Sequence, residues 1–146
     1  MMSMEKIEFK TKGQLDIVDL TDLVRKIISK KKIKNGLVNL FVPGSTGALT
    51  TIEYEPDLVR DFKKMIEELI PQNKPYRHNL KWGDGNAHSH LRASIIGPSL
   101  SVPINNSKII LGTWQQIVFI EFDVKIRNRI VIISCMDDNQ IDISIT

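Results

Sequence analysis

The tightest constraint in this sequence is its many short apolar segments separated by turn residues. Ile117 to Asp123 and Ile130 to Cys135 have the length of core strands, and Arg127-Asn128-Arg129 between them reads as a turn. Lys6 to Thr11 and Leu15 to Leu20 alternate apolar and polar residues, with Asp16 and Asp19 outward. Leu37 to Val42, Ala48 to Tyr54 and Leu100 to Ile104 supply further strands, and Ile141 to Ile145 is a weaker candidate. Only two segments carry a helical stripe. Leu23, Val24, Ile27 and Ile28 mark a helix over Thr21–Lys31, with Thr21 as N-cap and an end near Asn35-Gly36. Leu58, Phe62, Met65, Ile66 and Leu69 mark a second over Pro56–Ile70. Strands outnumber helices by about four to one and most are joined by short turns, which predicts an α+β fold. The expected architecture is a largely antiparallel sheet with the two main helices packed on one face. At 146 residues with no internal repeat, the chain is read as a single domain over 1–146.

The chemistry-bearing residues concentrate between Trp82 and Ile104, in WGDGNAHSHLRASIIGPSLSVPI. A glycine-rich turn leads into Ala87-His88-Ser89-His90, and Leu91 to Ile96 is read as the continuing strand. On a strand, His88 and His90 point to the same face, a chelating arrangement for Zn²⁺ or another divalent ion, with His78 ten residues before His88 as a third nitrogen ligand. Such a site leaves an open position where a bound water ionises near neutral pH. The alternative reading of the same residues is a strand entrance at which the histidines hydrogen-bond a ligand or one another. Ile70 to Lys81 is polar, contains Pro71 and Pro75, and reads as loop.

Two other features bear on function. Pro43-Gly44-Ser45-Thr46-Gly47 can present backbone N–H groups and hydroxyls to an anion, or serve as a plain strand-to-strand turn. Cys135 is the only cysteine, which excludes an intrachain disulfide, fits a cytoplasmic location, and in its Ile-Ile-Ser-Cys-Met context reads as a buried structural thiol. The net charge is +3 with dispersed basic residues, and the few aromatics are not interleaved with them, so neither a nucleic-acid partner nor a membrane partner is expected.

The runs GDGNAHSHLRASIIGPSLSVPI, GTWQQIVFIEFD and VPGSTGALTTIEYEPDLVRDF resemble the YjbQ-like family, often called secondary thiamine-phosphate synthases, over nearly the whole chain. The resemblance implies a YjbQ-like α+β fold, a homotrimer, and a polar pocket near the subunit boundary. Carried over position by position, it implies a pocket of His78, Asn86, His88, His90, Ser94, Gln115 and Glu121, with Thr46 and Glu53 from the upstream motif. Many bacterial members carry a histidine where this chain has Gly44.

The resulting expectation is a small cytoplasmic enzyme with weak or promiscuous thiamine-phosphate synthase activity and a histidine-rich pocket. Glu121, Glu53 and His78 are the candidate catalytic residues; Ser45, Thr46, Asn86, Arg92, Ser94 and Gln115 are candidates to bind the substrate or its anion. His78, His88 and His90 are the candidate metal ligands, for Zn²⁺ or Mg²⁺, and the expected partner is a small phosphorylated or anionic molecule. Dedicated thiamine-phosphate synthases are (β/α)₈ barrels, which need about 200 residues or more, so this chain is not that fold. The competing expectation is a non-catalytic trimeric module that binds a small anionic metabolite or a protein.

Overall fold

A computed structural model describes residues 2–138. In chain order the elements are β1 (Met2–Lys10), β2 (Ile17–Asp19), α1 (Thr21–Lys31), β3 (Gly36–Phe41), β4 (Gly47–Ile52), α2 (Pro56–Leu69), α3 (Arg77–Trp82), α4 (Ala87–Ile96), β5 (Ser99–Asn105), β6 (Lys108–Ile109), β7 (Gln116–Glu121) and β8 (Asn128–Asp137). The expected strand at Ile141 to Ile145 lies outside the described residues.

All strand pairings among the described residues are antiparallel, as expected, but only β5 and β6 pair with their neighbour in sequence, β7 and β8 do not pair across Arg127, and the strands form two sheets rather than one. The larger has the order β1-β8-β3-β5-β6 and the smaller β2-β7-β4. Alternation along β7 explains how they stack. Ile117 and Phe119 face a core shared with α1 (Leu20, Val24, Ile28) and the large sheet (Val38, Leu40, Val131, Ile133). Val118 and Ile120 face the opposite way, into a second core with Ile66 of α2 and Ala93 of α4. The two main helices therefore pack on opposite faces of the small sheet, not on one face as expected.

The helix ends follow from local chemistry. The N-cap of α1 is Leu20, not Thr21; the first helical N–H, that of Thr21, donates to the Asp19 carboxylate at 2.9 Å, as does the Thr21 hydroxyl at 2.6 Å. The helix stops at Lys31, with Lys32 in the left-handed conformation at φ 54°, short of Asn35-Gly36. Pro56 opens α2, and the Glu55 carboxylate accepts from the N–H groups of Asp57 (3.0 Å) and Leu58 (2.8 Å).

The largest departure from the sequence reading is Ala87–Ile96, which is helix and not strand. Its buried residues, Ala87, His88, Ser89, Arg92 and Ala93, include the i, i+4 pairs 88/92 and 89/93, a helical spacing that the His-x-His alternation masks. The Asn79 side chain accepts from the Ala87 N–H at 3.0 Å, and Gly97 ends the helix at φ 103°. Part of the expected loop at Ile70 to Lys81 is likewise helical, as α3.

Gly36 shows how closely the strands approach. At φ +154° its ideal Cβ would lie 1.9 Å from the Met136 carbonyl oxygen. Gly36→Ala is expected to destabilise the chain by on the order of 3 kcal/mol or more, read as a fall in the urea midpoint with an unchanged slope.

Candidate functional site

The residues expected to share one pocket are distributed over four places. Thr46 and Glu121 meet where β4 begins and β7 ends, since Gly47 pairs with Glu121. Glu53 and Gln115 stand at the opposite end of that ladder, where Ile52 pairs with Gln116. Gln115 there donates to the Thr51 hydroxyl at 2.8 Å and accepts from the Gly112 N–H at 3.0 Å. Glu53 is exposed, and exposed Ser94 donates back to the Leu91 carbonyl of its own helix. His78, Asn86 and His90 form a corner between α3 and α4, while His88 and Arg92 lie beneath α4.

The helical geometry of α4 separates the two histidines of the His-x-His motif. Two residues on a helix differ by about 200° in direction, so His88 and His90 face opposite sides. His90 is half-buried and its ring meets that of His78 edge to face, with centroids 5.2 Å apart. His88 has no exposure and donates through Nε2 to the Gln14 Oε1 at 2.7 Å. The three-histidine metal site expected from strand geometry is therefore not assembled within one chain. Among the described residues, no group of three or more His, Cys, Asp or Glu side chains is placed to hold an ion.

The α3–α4 corner is nonetheless organised. With its amide nitrogen facing inward, Asn86 donates to both carboxylate oxygens of Asp84 (3.1 and 3.2 Å) and to Nε2 of His78 at 3.1 Å. Nε2 then carries a lone pair, and the Asp84 carboxylate lies 3.6 Å from it. The corner is partly open to solvent, with His78 and Asp84 side chains at 39% and 48% exposure.

A second polar centre is buried at the Glu121 end. Glu121 accepts from Nε and Nη2 of Arg129, from the Thr11 hydroxyl at 2.9 Å and from the Asp123 N–H at 3.0 Å. Arg129 also donates to the Thr46 hydroxyl at 2.8 Å, and Arg127 donates to Asp123 at 2.7 Å. Burial pushes the Asp123 carboxyl up, but the Arg127 guanidinium, the Val124 N–H and the Thr46 hydroxyl outweigh it and hold the group below its ordinary value. Thr11, Asp123, Arg127 and Arg129 were not recognised from sequence. Their signal was the spacing: carboxylates two apart at 121 and 123, guanidiniums two apart at 127 and 129, each pair on one side of an extended segment. Gly44 borders this centre, and a Cβ there would come within 3.0 Å of the Arg129 Nη1. A side chain at position 44 requires Arg129 to shift.

The profile for UPF0047 protein YjbQ-like matches residues 5–138. The chain belongs to the YjbQ-like family. A UPF0047 protein of Archaeoglobus fulgidus is 36% identical over 127 residues, covering 87% of this chain and 97% of the relative. One of Methanothermobacter thermautotrophicus is 37% identical over 130 residues, covering 89% of each chain. Among solved structures, a YbjQ-like protein of unknown function from Sulfolobus solfataricus P2 superposes with a TM-score of 0.88 at 33% identity, covering 94% of this chain and 99% of that one. A hypothetical protein from Aeropyrum pernix K1 gives 0.86 at 36% identity, covering 93% and 99%. These YjbQ-like relatives share the fold, and their names assign no reaction.

Two predictions follow from the buried groups. Arg129→Met strands the Glu121 charge and is expected to cost about 3–5 kcal/mol in urea unfolding. His88 is held at about 4, below the ordinary 6.5, first by burial and then by the Arg92 charge, against a smaller opposing effect of Asp123. Between those values the unfolded chain binds a proton that the folded chain refuses. Stability is therefore full above about 6.5 and falls as pH drops towards about 4. Melting temperatures of His88→Gln should lose much of that acid slope.

Proposed function

We propose that this YjbQ-like protein is a small cytoplasmic enzyme that works by proton transfer at the α3–α4 corner on a phosphorylated or anionic substrate, with thiamine-phosphate formation as a weak side activity. The observation that carries the reading is the orientation of His78, whose Nε2 lone pair is addressed by Asn86 and backed by Asp84. A substrate group displacing Asn86 would meet the Nε2 lone pair of His78 as a base. His90, against the His78 ring, is the second proton carrier. Thiamine-phosphate formation breaks a C–O bond to diphosphate and forms a C–N bond to the thiazole nitrogen, with no change in oxidation state. A histidine near the departing diphosphate assists that step without a dedicated diphosphate cradle. Glu121, with both oxygens engaged by Arg129 and its neighbours, serves as a positioning residue for the Thr46 loop in this reading.

The homotrimer belongs to the same proposal. β7 needs no cover from a neighbouring subunit, because its residues from Ile117 to Glu121 are all buried within the chain. The outer face of the large sheet supplies a better reason. Met2, Met136, Leu37 and Pro103 lie in register across β1, β8, β3 and β5, and Phe41 and Ile132 form a further apolar pair. Met2 and Met136 are 63% and 52% exposed. Leu80 and Trp82, beside the histidine corner, are 77% and 66% exposed, which supports a site bordered by a second subunit.

The competing reading, a non-catalytic trimer that binds an anionic metabolite or protein, uses the same corner without turnover. His78→Ala and His90→Ala should each lower thiamine-phosphate formation by about 100-fold or more, with the circular dichroism spectrum and the light-scattering mass of a trimer unchanged. Full activity in both variants, or a wild-type monomer at micromolar concentration, overturns the reading. Metal analysis of tag-free protein is the second arm. A divalent ion at one per chain, lost in His78→Ala, would replace proton transfer with an ion held by His78, His90 and a donor from another subunit.

A further inference from the structure

The inward face of α4 carries three polar side-chain atoms without a hydrogen-bond partner: Nδ1 of His88, Oγ of Ser89 and Nη1 of Arg92. All three residues are fully buried. At about 100° per residue they fall within an arc of roughly 100° and little more than one turn of helix, so they share one face. Buried polar groups in native proteins are nearly always satisfied, and three orphans on one helical turn call for a common partner.

Charge accounting narrows what that partner is. Arg129 is paired with Glu121 and Arg127 with Asp123. Arg92 has no such partner: Nε and Nη2 donate to the neutral Ile70 carbonyl at 2.9 and 2.8 Å, and the exposed Glu67 acts on it only through space. A buried guanidinium with one free edge, next to a free hydroxyl, is a donor pair suited to an oxyanion. The third atom differs. Because Nε2 of His88 gives its hydrogen to Gln14, the neutral ring presents a bare lone pair at Nδ1.

We propose that this face of α4 binds a phosphate group that keeps one proton. Nη1 of Arg92 and Oγ of Ser89 donate to its oxygens, and its P–OH donates to Nδ1 of His88. The site rests on the reading of a phosphorylated substrate and names the residues that would hold the phosphate. Sulfate has the same shape but no proton to give, so one of its oxygens would face the His88 lone pair, and the site discriminates against it.

Isothermal titration of the full chain with inorganic phosphate and with inorganic sulfate tests this. Phosphate should saturate the wild type, with sulfate at least about tenfold weaker. Ser89→Ala, which removes a hydroxyl that bonds to nothing in the protein, should keep the fold and weaken phosphate by roughly tenfold. Arg92→Met should abolish binding, and His90→Ala should leave it intact. If Arg92→Met does not fold, Ser89→Ala decides. The proposal is overturned if phosphate does not saturate, if sulfate binds equally, or if Ser89→Ala binds as wild type. Binding lost in His90→Ala but kept in Ser89→Ala also overturns it; that result would put the phosphate at the histidine corner and spare the proposed function.

Discussion

The ion pair between Glu121 and Arg129 is the interaction on which the rest of the structure depends. Glu121 ends β7 in the small sheet, and Arg129 starts β8 in the large one. Thr11, just past β1, bonds to Glu121, and Thr46, just before β4, bonds to Arg129. One pair of charges thus joins the ends of four strands from both sheets. A buried ion pair holds a structure together only when its remaining lone pairs and protons are satisfied, because desolvation otherwise outweighs attraction. Here the Asp123 N–H and the two threonine hydroxyls complete the shell, and Asp123 with Arg127 repeats the arrangement one step outward. The Gly44-to-Gly47 loop borders the guanidinium at Gly44 and is tied to it through the Thr46 hydroxyl.

Helix α4 gives each of its histidines a different environment. His88 is enclosed, neutral and tied to Gln14; His90 reaches the partly open corner with His78, Asp84 and Asn86. The inner face of the same helix holds the Ser89 hydroxyl and Nη1 of Arg92, neither of which has a hydrogen-bond partner in the protein. Proton transfer at the corner and phosphate binding inside would act from opposite sides of one helix.

The sequence by itself determined the elements whose periodicity is set by burial of apolar side chains. The stripes Val24/Ile27/Ile28 and Phe62/Ile66 located α1 and α2 to within a residue or two, and the runs at 117–122 and 130–135 located β7 and β8, because an apolar residue exposed at those positions would cost solvation wherever the element packed. The antiparallel sense was expected from short turns, yet only β5 and β6 pair across one; the other pairings join strands distant in the chain. What the tertiary structure alone decided was everything depending on long-range partners. His88-Ser89-His90 has a strand-like alternation that local sequence cannot overrule; packing against β4 and the second core makes it helix and sends the two histidines to opposite sides. The division into two sheets, which places α1 and α2 on opposite faces of β7, and the meeting of Glu121 with Arg129, Thr11 and Thr46 arise from contacts between segments far apart in the chain. Periodicity records only that a side chain is buried; which group it meets there is settled by the fold.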